Sequence, residues 1–219
     1  MPFFAQINIH GDPNIGLHGF ATSNYCICGG AIPSVQKKIK SILKTPVYNL
    51  KLLNTDFLSI FSVGNSSGMI VSNVVFKHEI DNIRKLGINI NVVDTEKAIG
   101  NLILMNDNGI VISPVLKSLK KTIEKIFGLD VVITKIAELG VVGSLGLATN
   151  KGCILSPNIS EQELKKVEEA LDIESDIGTV NCGSVFPGSG IIANENGFIT
   201  SRLTTGPELG RITEALGFL

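Results

Sequence analysis

The fold depends on a pattern seen most clearly in the stretch LILMNDNGIVIS, residues 102–113. Two short apolar runs, 102–105 and 110–112, flank a polar turn that ends in Asn108-Gly109. Asn-Gly between apolar runs is the strongest short-range signal for a β-hairpin, because both residues accept the positive φ angles that the turn requires. Neither run alternates between apolar and polar residues, which indicates strands buried on both faces. The stretch therefore predicts a buried hairpin.

The same pattern recurs along the whole chain. Three further turns end in Gly68, Gly152 and Gly197, so that, with Gly109, the turn glycines are spaced by 41, 43 and 45 residues. A degenerate copy, with Tyr25 in place of the glycine, lies 43 residues before Gly68. Each hairpin is followed by apolar residues at spacings of three and four, which indicate an amphipathic helix, and the first four helices are followed by another strand. The repeating unit is therefore strand–strand–helix–strand, about 44 residues long.

Five such units cover the chain as a single domain, residues 1–219. We place them at 16–59, 60–98, 99–139, 140–187 and 188–219, after an N-terminal segment 1–15. The fifth unit lacks its last strand, while residues 3–9 form an apolar strand that belongs to no unit. The economical arrangement is a closed ring, in which the N-terminal strand completes the fifth unit and no edge is left open.

This arrangement is that of an α/β pentein, or β/α propeller, with pseudo-five-fold symmetry. A propeller of four-stranded blades has a similar period, but the helix in every unit here argues against it. An open solenoid would need polar capping repeats at its ends, and the sequence has none.

Composition narrows the classes of function. The net charge is −1, with +3 in residues 1–100 and −4 in residues 101–219, which disfavours a protein whose affinity rests mainly on neutralising phosphates. No run of 18 apolar residues and no basic N-terminal segment occur, so we expect no membrane span, no signal peptide and a cytoplasmic location. Two helices are rich in lysine, which indicates a solvated face or a local phosphate or acidic contact. These residues are Lys37, Lys38, Lys40, Lys44, Lys117, Lys120, Lys121 and Lys125.

The four cysteines raise the question of catalysis. Penteins include guanidine-modifying enzymes that use a cysteine nucleophile with histidine and acidic partners, and a Cys-dependent enzyme of that kind is the alternative function. No local motif surrounds Cys26, Cys28, Cys153 or Cys182, so we assign no catalytic residue and expect buried, apolar thiols. Neither metal-ligand spacing nor a phosphate-binding loop is present, and we therefore predict no metal and no other cofactor.

Several short sequence motifs, which follow one another in the order of the repeats, resemble motifs of one protein family. They are Asn14-Ile15-Gly16, Ala21-Thr22-Ser23-Asn24-Tyr25, Val63-Gly64-Asn65, Ile99-Gly100-Asn101, Val142-Gly143-Ser144, Gly178-Thr179-Val180-Asn181 and Gly183-Ser184. Over its full length the chain resembles the archaeal translation initiation factor 6 family, although Cys182 stands where that family usually has Arg.

This resemblance implies a factor that binds the large (50S) ribosomal subunit and sterically prevents its association with the small subunit, with a role in large-subunit maturation. It implies contact with a uL14-type ribosomal protein, near the sarcin–ricin loop of the large-subunit RNA. It also implies a monomer that uses no cofactor and catalyses no reaction.

The candidate ribosome-binding residues lie mainly where the first strand of each hairpin begins. Gly16, Ile60, Asn101 and Leu145 are interpreted as equivalent positions of four units, which the ring would bring to one rim. Asn65 is included because it matches the Val-Gly-Asn motif of the family, although it belongs to a turn. The complete set is Asn14, Gly16, Ile60, Asn65, Asn101, Ser144 and Leu145.

Overall fold

The computed structural model describes residues 2–219, which contain fifteen strands, nine α-helices and two 3-10 helices. The strands are β1 (Phe4–Gln6), β2 (Gly19–Ala21), β3 (Cys26–Cys28), β4 (Val47–Tyr48), β5 (Ser62–Asn65), β6 (Gly68–Ser72), β7 (Ile90–Val93), β8 (Ile103–Met105), β9 (Ile110–Ile112), β10 (Val131–Ile133), β11 (Gly146–Ala148), β12 (Cys153–Leu155), β13 (Ser175–Ile177), β14 (Ile191–Asn194) and β15 (Gly197–Thr200). The α-helices are α1 (Pro33–Leu43), α2 (Leu58–Phe61), α3 (Lys77–Lys85), α4 (Ile99–Leu102), α5 (Lys120–Phe127), α6 (Val142–Leu145), α7 (Glu161–Leu171), α8 (Pro187–Gly190) and α9 (Gly206–Ala215). The 3-10 helices are Ile15–Leu17 and Pro114–Leu119.

The strands form five three-stranded sheets, one in each repeat. Their orders are β2-β3-β4, β5-β6-β7, β8-β9-β10, β11-β12-β13 and β14-β15-β1. The first two strands of each sheet are an antiparallel hairpin, and the third strand lies parallel to the middle one. In the third sheet, for example, Val111 pairs with Leu104 on one side and Val132 on the other. The predicted strand–strand–helix–strand unit is therefore confirmed.

The N-terminal strand closes the ring, as the sequence predicts. Ala5 of β1 lies opposite Ile199 of β15, and the Ile7 amide donates to the Thr200 carbonyl at 2.9 Å. The strand covers only Phe4–Gln6, not residues 3–9, because the chain soon enters a tight turn in which His10 has a φ of 52°. Each repeat thus has two neighbours.

The core lies between the sheets and the five longer helices. Middle strands β3, β6, β9, β12 and β15 are buried along their whole length. Each long helix packs against its own sheet and against the sheet of the preceding repeat: Ile39 of α1 shares a cluster with Ile199 of β15, and Val167 of α7 shares one with Val111 of β9. Opening the ring would therefore expose apolar surface on both sides of the break.

A short helix at the start of each repeat was not predicted. Ile60 is expected at the start of the first hairpin strand of its repeat, but β5 begins only at Ser62, because Ile60 and Phe61 belong to α2. Leu102 and Leu145, also expected in strands, close helices α4 and α6. One helical turn shows no periodicity, and its apolar residues merge with those of the following strand, so the two cannot be separated from sequence.

Within residues 2–219, no helix is both long and apolar enough to cross a membrane.

Candidate functional site

The two ends of the ring differ in structure. We call one the short-helix end; it is formed by the 3-10 helix Ile15–Leu17 and by α2, α4, α6 and α8. We call the other the turn end; it is formed by the hairpin turns near residues 22–25, 65–68, 106–109, 149–152 and 194–197. The first strand of each hairpin runs from the short-helix end to the turn end, and the middle strand returns.

At the short-helix end, the backbones of neighbouring repeats touch around the axis. The second residue of each short helix is Gly16, Ser59, Gly100, Gly143 or Gly188. A Cβ atom on Gly100 would overlap the Ser59 carbonyl oxygen, and one on Gly143 would overlap that of Gly100. Ser59 Oγ donates to the Gly16 carbonyl oxygen. We call these five residues the small-residue ring. The backbones of neighbouring repeats approach so closely here that at most positions a side chain would have no room, which explains why four of the five are glycine.

The third residue of each short helix lies between core and surface, and four of the five line the mouth or wall of an axial cavity. These residues are Leu17, Ile60, Asn101, Ser144 and Ser189, all half-buried. We call them the rim set. Within residues 2–219, the side chains of Asn101, Ser144 and Ser189 make no hydrogen bond.

The predicted equivalence of Gly16, Ile60, Asn101 and Leu145 is corrected by this geometry. Gly16 precedes the rim position by one residue and is a buried member of the small-residue ring. Leu145 follows the rim position by one residue and is only 1% exposed, in the core with Val142. The equivalent residues are Leu17 and Ser144, and a shift of one residue in a helical turn is enough to exchange a surface position for a core position.

Asn14 and the residues equivalent to it precede the short helices. Asn14 is half-buried, and its backbone and side-chain amides both donate to Asp12 Oδ1, at 2.8 and 3.2 Å. Phe57 and Phe186 occupy the same place before α2 and α8, and are 38% and 37% exposed.

Other exposed apolar side chains lie near this end. Each precedes a short helix or follows a middle strand after the chain has returned. They are Ile32, Phe76, Val115, Leu139 and Leu203. Among residues 2–219, none of the hairpin turns at the other end carries an exposed large apolar side chain. Another exposed apolar side chain lies elsewhere: Leu219, at 90% exposure, follows Phe218, whose ring centroid lies 5.6 Å from Lys151 Nζ in a hairpin turn. Exposed apolar side chains gathered at one end are typical of a protein-binding face.

Asn65 lies at the turn end, away from the other candidates. It is 4% exposed, and its side-chain amide donates to the Asn106 carbonyl oxygen of the next repeat at 3.2 Å. Asn106 in turn donates to the Thr149 carbonyl at 3.2 Å, and Asn194 donates to the Thr22 carbonyl at 3.0 Å. We call Asn65, Asn106 and Asn194 the asparagine belt. The geometry gives Asn65 the role of joining repeats.

Three glutamates fix the loops that lead into the short helices. Glu79, Glu163 and Glu208 are each the third residue of a long helix, and each accepts hydrogen bonds from two loop amides about 25 residues earlier in the chain. Glu208, for example, binds the amides of Cys182 at 3.1 Å and Gly183 at 2.8 Å. A serine followed three residues later by glutamate is a sequence pattern typical of a capping box, and Ser160 and Glu163 form one at the start of α7.

The pKa of two of these carboxyls is displaced. Burial by itself would raise the pKa of Glu163 and Glu208, but the hydrogen bonds donated by backbone amides and hydroxyls outweigh it and hold both pKa values below the ordinary range. Both groups are therefore ionised at neutral pH and anchor their loops as anions.

Two of the three histidines lie near carboxylates. His18 is 2% exposed, with Nε2 3.3 Å from Asp12 Oδ2 and its ring centroid 5.0 Å from that of Phe57. His10 Nε2 lies 3.5 Å from Asp56 Oδ2. The third, His78, is exposed and stacks on Phe76. Within residues 2–219, no histidine makes a hydrogen bond to a cysteine.

The cysteines divide into three buried thiols and one exposed one. Burial, with a contribution from the Asp56 charge, raises the pKa of Cys28 to about 12, and burial likewise raises the pKa of Cys26 and Cys153. Such thiols are neutral at physiological pH, whereas the nucleophile in cysteine catalysis is the thiolate. The expectation of burial is wrong for Cys182, which is exposed in the loop before α8 with a φ of 64°.

A narrow axial cavity of about 90 Å³ lies inside the ring. Its walls include Phe20, Val63, Leu104 and Leu147, together with the small-residue ring. Among the described residues, no charged side chain lines it, so nothing in it would pair with a guanidinium group. Elsewhere in residues 2–219, no group of three or more His, Cys, Asp or Glu side chains is arranged to hold a metal ion.

Fold and surface together define a pentein that carries several exposed apolar side chains around one end. The model of the eIF-6 family matches residues 4–215, and the chain belongs to that family. It is 35% identical to Translation initiation factor 6 of Pyrobaculum arsenaticum, covering 96% of this chain and 97% of the relative. The corresponding proteins of Methanococcus vannielii and Saccharolobus islandicus are 36% and 34% identical, with coverage of 95% and 97% of this chain and 96% and 98% of the relatives. Membership supports a role as a translation factor.

A solved structure with a similar course of the backbone is the agmatine deiminase of C. jejuni. The TM-score is 0.43 and the sequence identity 13%, over 87% of this chain and 72% of that chain.

Proposed function

We propose that this protein binds the large (50S) ribosomal subunit and sterically prevents its association with the small subunit. It acts in the cytoplasm as a monomer, without cofactor or catalysis, and takes part in large-subunit maturation. Membership of the eIF-6 family supports the proposal most strongly. Of the surfaces described above, the short-helix end is the one that offers unpaired polar side chains beside exposed apolar ones.

The proposed contact residues are the rim set, with Asn14, Phe57 and Phe186 beside it. Gly16 and Leu145 support these residues from below and do not themselves make the contact. The partner we propose is a uL14-type ribosomal protein, near the sarcin–ricin loop of the large-subunit RNA. A partner of standard size would cover roughly 800 Å² of this surface, which is less than a tenth of the 9534 Å² that the protein exposes.

Charge favours a protein partner over an RNA partner at this end. None of the residues of the rim set is charged, and the whole chain has a net charge of −1. Binding that neutralised many phosphates would show a steep loss of affinity with salt. A contact made mainly with protein predicts a shallow salt dependence.

The test is cosedimentation with purified large subunits in sucrose gradients. Asn101→Ala and Ile60→Ala should each weaken binding about five- to thirty-fold, corresponding to 1–2 kcal/mol at a central interface position. Asn108→Ala, an exposed asparagine at the turn end, is the matched control and should bind normally. Circular dichroism checks that each variant is folded.

Two outcomes would contradict the proposed interface. One is unchanged affinity in both rim variants. The other is a steep salt dependence that disappears when Lys37, Lys38 and Lys40 are replaced, because that result would move the interface to the exposed face of α1.

A further inference from the structure

Three loops at the short-helix end share one way of holding a carboxylate. Each loop is closed by an antiparallel bridge: Leu52 with Thr55, Ile136 with Leu139, and Val180 with Ser184. Residues inside each loop have positive φ angles, which turn neighbouring backbone N–H groups towards the same point. A glutamate of the following long helix occupies that point in all three.

Glu163 shows the arrangement clearly. Its Oε2 accepts from the Ala137 amide at 3.1 Å, and its Oε1 accepts from the Glu138 amide at 3.1 Å. The amide of Ser160, which begins helix α7, donates to Oε2 at 3.0 Å. Two loop amides and one helix-start amide therefore surround a single carboxylate, and the same set surrounds Glu79 and Glu208.

The first repeat has the loop but not the glutamate. Ile9 bridges to Asp12, and His10 and Gly11 have φ angles of 52° and 81°. The third residue of α1 is Val35, where the other three helices have glutamate. Among the described residues, the amides of His10, Gly11 and Ile32, which correspond to the three donors above, have no protein acceptor. His10 and Gly11 are exposed, and a Cβ on Gly11 would meet no atom within 4 Å.

The carboxylates nearest this loop are engaged elsewhere. Asp12 accepts from the Asn14 amides through Oδ1 and faces His18 through Oδ2. Asp56 faces His10 Nε2 at 3.5 Å. The proximity of these two anions disfavours a doubly charged phosphate more than a singly charged carboxylate.

We propose that the amides of His10, Gly11 and Ile32 form a receptor for one carboxylate group of a protein partner, from an aspartate side chain, a glutamate side chain or the partner's C-terminus. Three other repeats satisfy the equivalent donors internally, whereas in the first repeat His10, Gly11 and Ile32 are exposed, in the loop that leads to Asn14 and near the start of α1. The carboxylate chemistry rests on the structure alone. That the partner is ribosomal rests on the proposed function.

The chemistry can be tested without a ribosome, by titrating the ¹⁵N-labelled full-length protein with acetate and recording amide spectra. The His10 and Gly11 amide protons should move downfield and saturate, with sodium chloride at equal ionic strength as the reference. In Val35→Glu these amides should be shifted from the start and should not respond, because the new carboxylate occupies the receptor. Val35→Leu is the control and should respond as the original protein does.

Three results would overturn the receptor or its assignment. No saturable acetate shift at His10 and Gly11 overturns the receptor, and so does a Val35→Glu protein that folds but still responds. A response to inorganic phosphate at lower concentration than to acetate would assign the site to a phosphate group and overturn the carboxylate.

The role in partner binding is tested separately with large subunits. Val35→Glu should raise the melting temperature and weaken subunit binding about ten-fold, since the partner's carboxylate is excluded. If Val35→Glu loses its acetate response but binds subunits normally, the partner assignment is overturned. If the unmodified protein does not bind subunits at all, the proposed function fails while the acetate result stands.

Discussion

The two ends of the ring are built from the same five repeats but use polar side chains in opposite ways. At the turn end, Asn106 and Asn194 are nearly fully buried, and their side-chain amides donate to backbone carbonyls of neighbouring repeats. At the short-helix end, Asn101 and Ser144 are half-buried, and within residues 2–219 their side chains have no hydrogen-bond partner. The asparagines of the turn end therefore make hydrogen bonds within the ring, whereas, among the described residues, the polar side chains of the rim set do not.

This difference separates holding the ring together from binding a partner. The short-helix end is joined mainly by close backbone packing of the small-residue ring, to which Ser59 adds one side-chain hydrogen bond, donated to the Gly16 carbonyl oxygen. Its side chains are consequently free to vary in chemistry, and they include Leu17, Ile60 and Ser189 at equivalent positions. The turn end is joined by side chains, so its polar residues are constrained by folding.

The largest expected effect comes from breaking the small-residue ring. Gly100→Ala places a Cβ against the Ser59 carbonyl oxygen, which belongs to backbone and cannot move aside. We expect a loss of at least ~3 kcal/mol in the free energy of unfolding. Gly210→Ala, in α9 with no atom within 4 Å of the added Cβ, should be neutral or stabilising by up to ~1 kcal/mol. Urea denaturation measures both, and similar stabilities would show that the close approach is unimportant.

The asparagine belt provides the next test. Asn106→Ala removes donors from the Thr149 and Leu171 carbonyls and the acceptor of the Gly109 amide, all buried, which should cost roughly 3 kcal/mol. Asn101→Ala should change stability by no more than ~0.5 kcal/mol. Denaturant midpoints of the two variants compare the ends directly. If both variants lose the same amount of stability, Asn101 is as important for the fold as Asn106, and the two ends do not differ in the way described.

The ring itself could be predicted because its signals are local. Asn108-Gly109 and its counterparts mark hairpins, and the spacing of the turn glycines marks the repeat. The short helices could not be predicted, since Ile60 and Leu145 look alike in an apolar run, although one is at the rim and the other in the core. The prediction of the binding site is affected most, because an error of one residue exchanges a surface position for a core position. Only the backbone structure shows which residue faces the surface.

The glutamate-held loops could be only partly anticipated. A glutamate at the third position of a helix indicates a capping interaction, as it does for Glu163. Its second role, binding the amides of Ala137 and Glu138, joins residues about 25 apart in sequence through the fold. No local pattern encodes that contact.

A smaller effect is expected in the pH dependence of stability. It should arise from the glutamate-held loops of the short-helix end and not from the asparagine belt of the turn end, whose side chains do not titrate. The pKa of Glu163 and Glu208 is lower in the folded protein than the ordinary value of 4.5. Their contribution to stability is therefore fully present above about pH 4.5 and is lost as pH falls through the folded pKa values. We expect the urea midpoint of the original protein to fall over this acidic range.

Glu208→Gln should lower the urea midpoint at neutral pH and flatten its dependence on pH below 4.5, because one of the titrating carboxyls is gone. Glu195→Gln, at the turn end and outside any such loop, is the control and should keep the original pH dependence. If Glu208→Gln and the original protein lose stability in parallel on acidification, the loop amides do not stabilise the charged carboxylate.

The smallest effect is expected from replacing the exposed cysteine. The cysteines of the sheets and the cysteine of the short-helix end differ in solvent exposure. Cys182 is exposed in the loop before α8, whereas Cys26, Cys28 and Cys153 are completely buried in middle strands. A maleimide reagent should therefore modify one thiol in the folded protein and all four in urea, as counted by mass spectrometry. Cys182→Ser should leave both stability and large-subunit binding unchanged, since serine is close in size and, among the described residues, the Cys182 thiol makes no hydrogen bond. A Cys182→Ser protein that folds normally but no longer blocks subunit joining would contradict a function without cysteine chemistry. Rapid native labelling of a second thiol would instead show that a middle strand opens, and that the sheets are less tightly closed than their burial indicates.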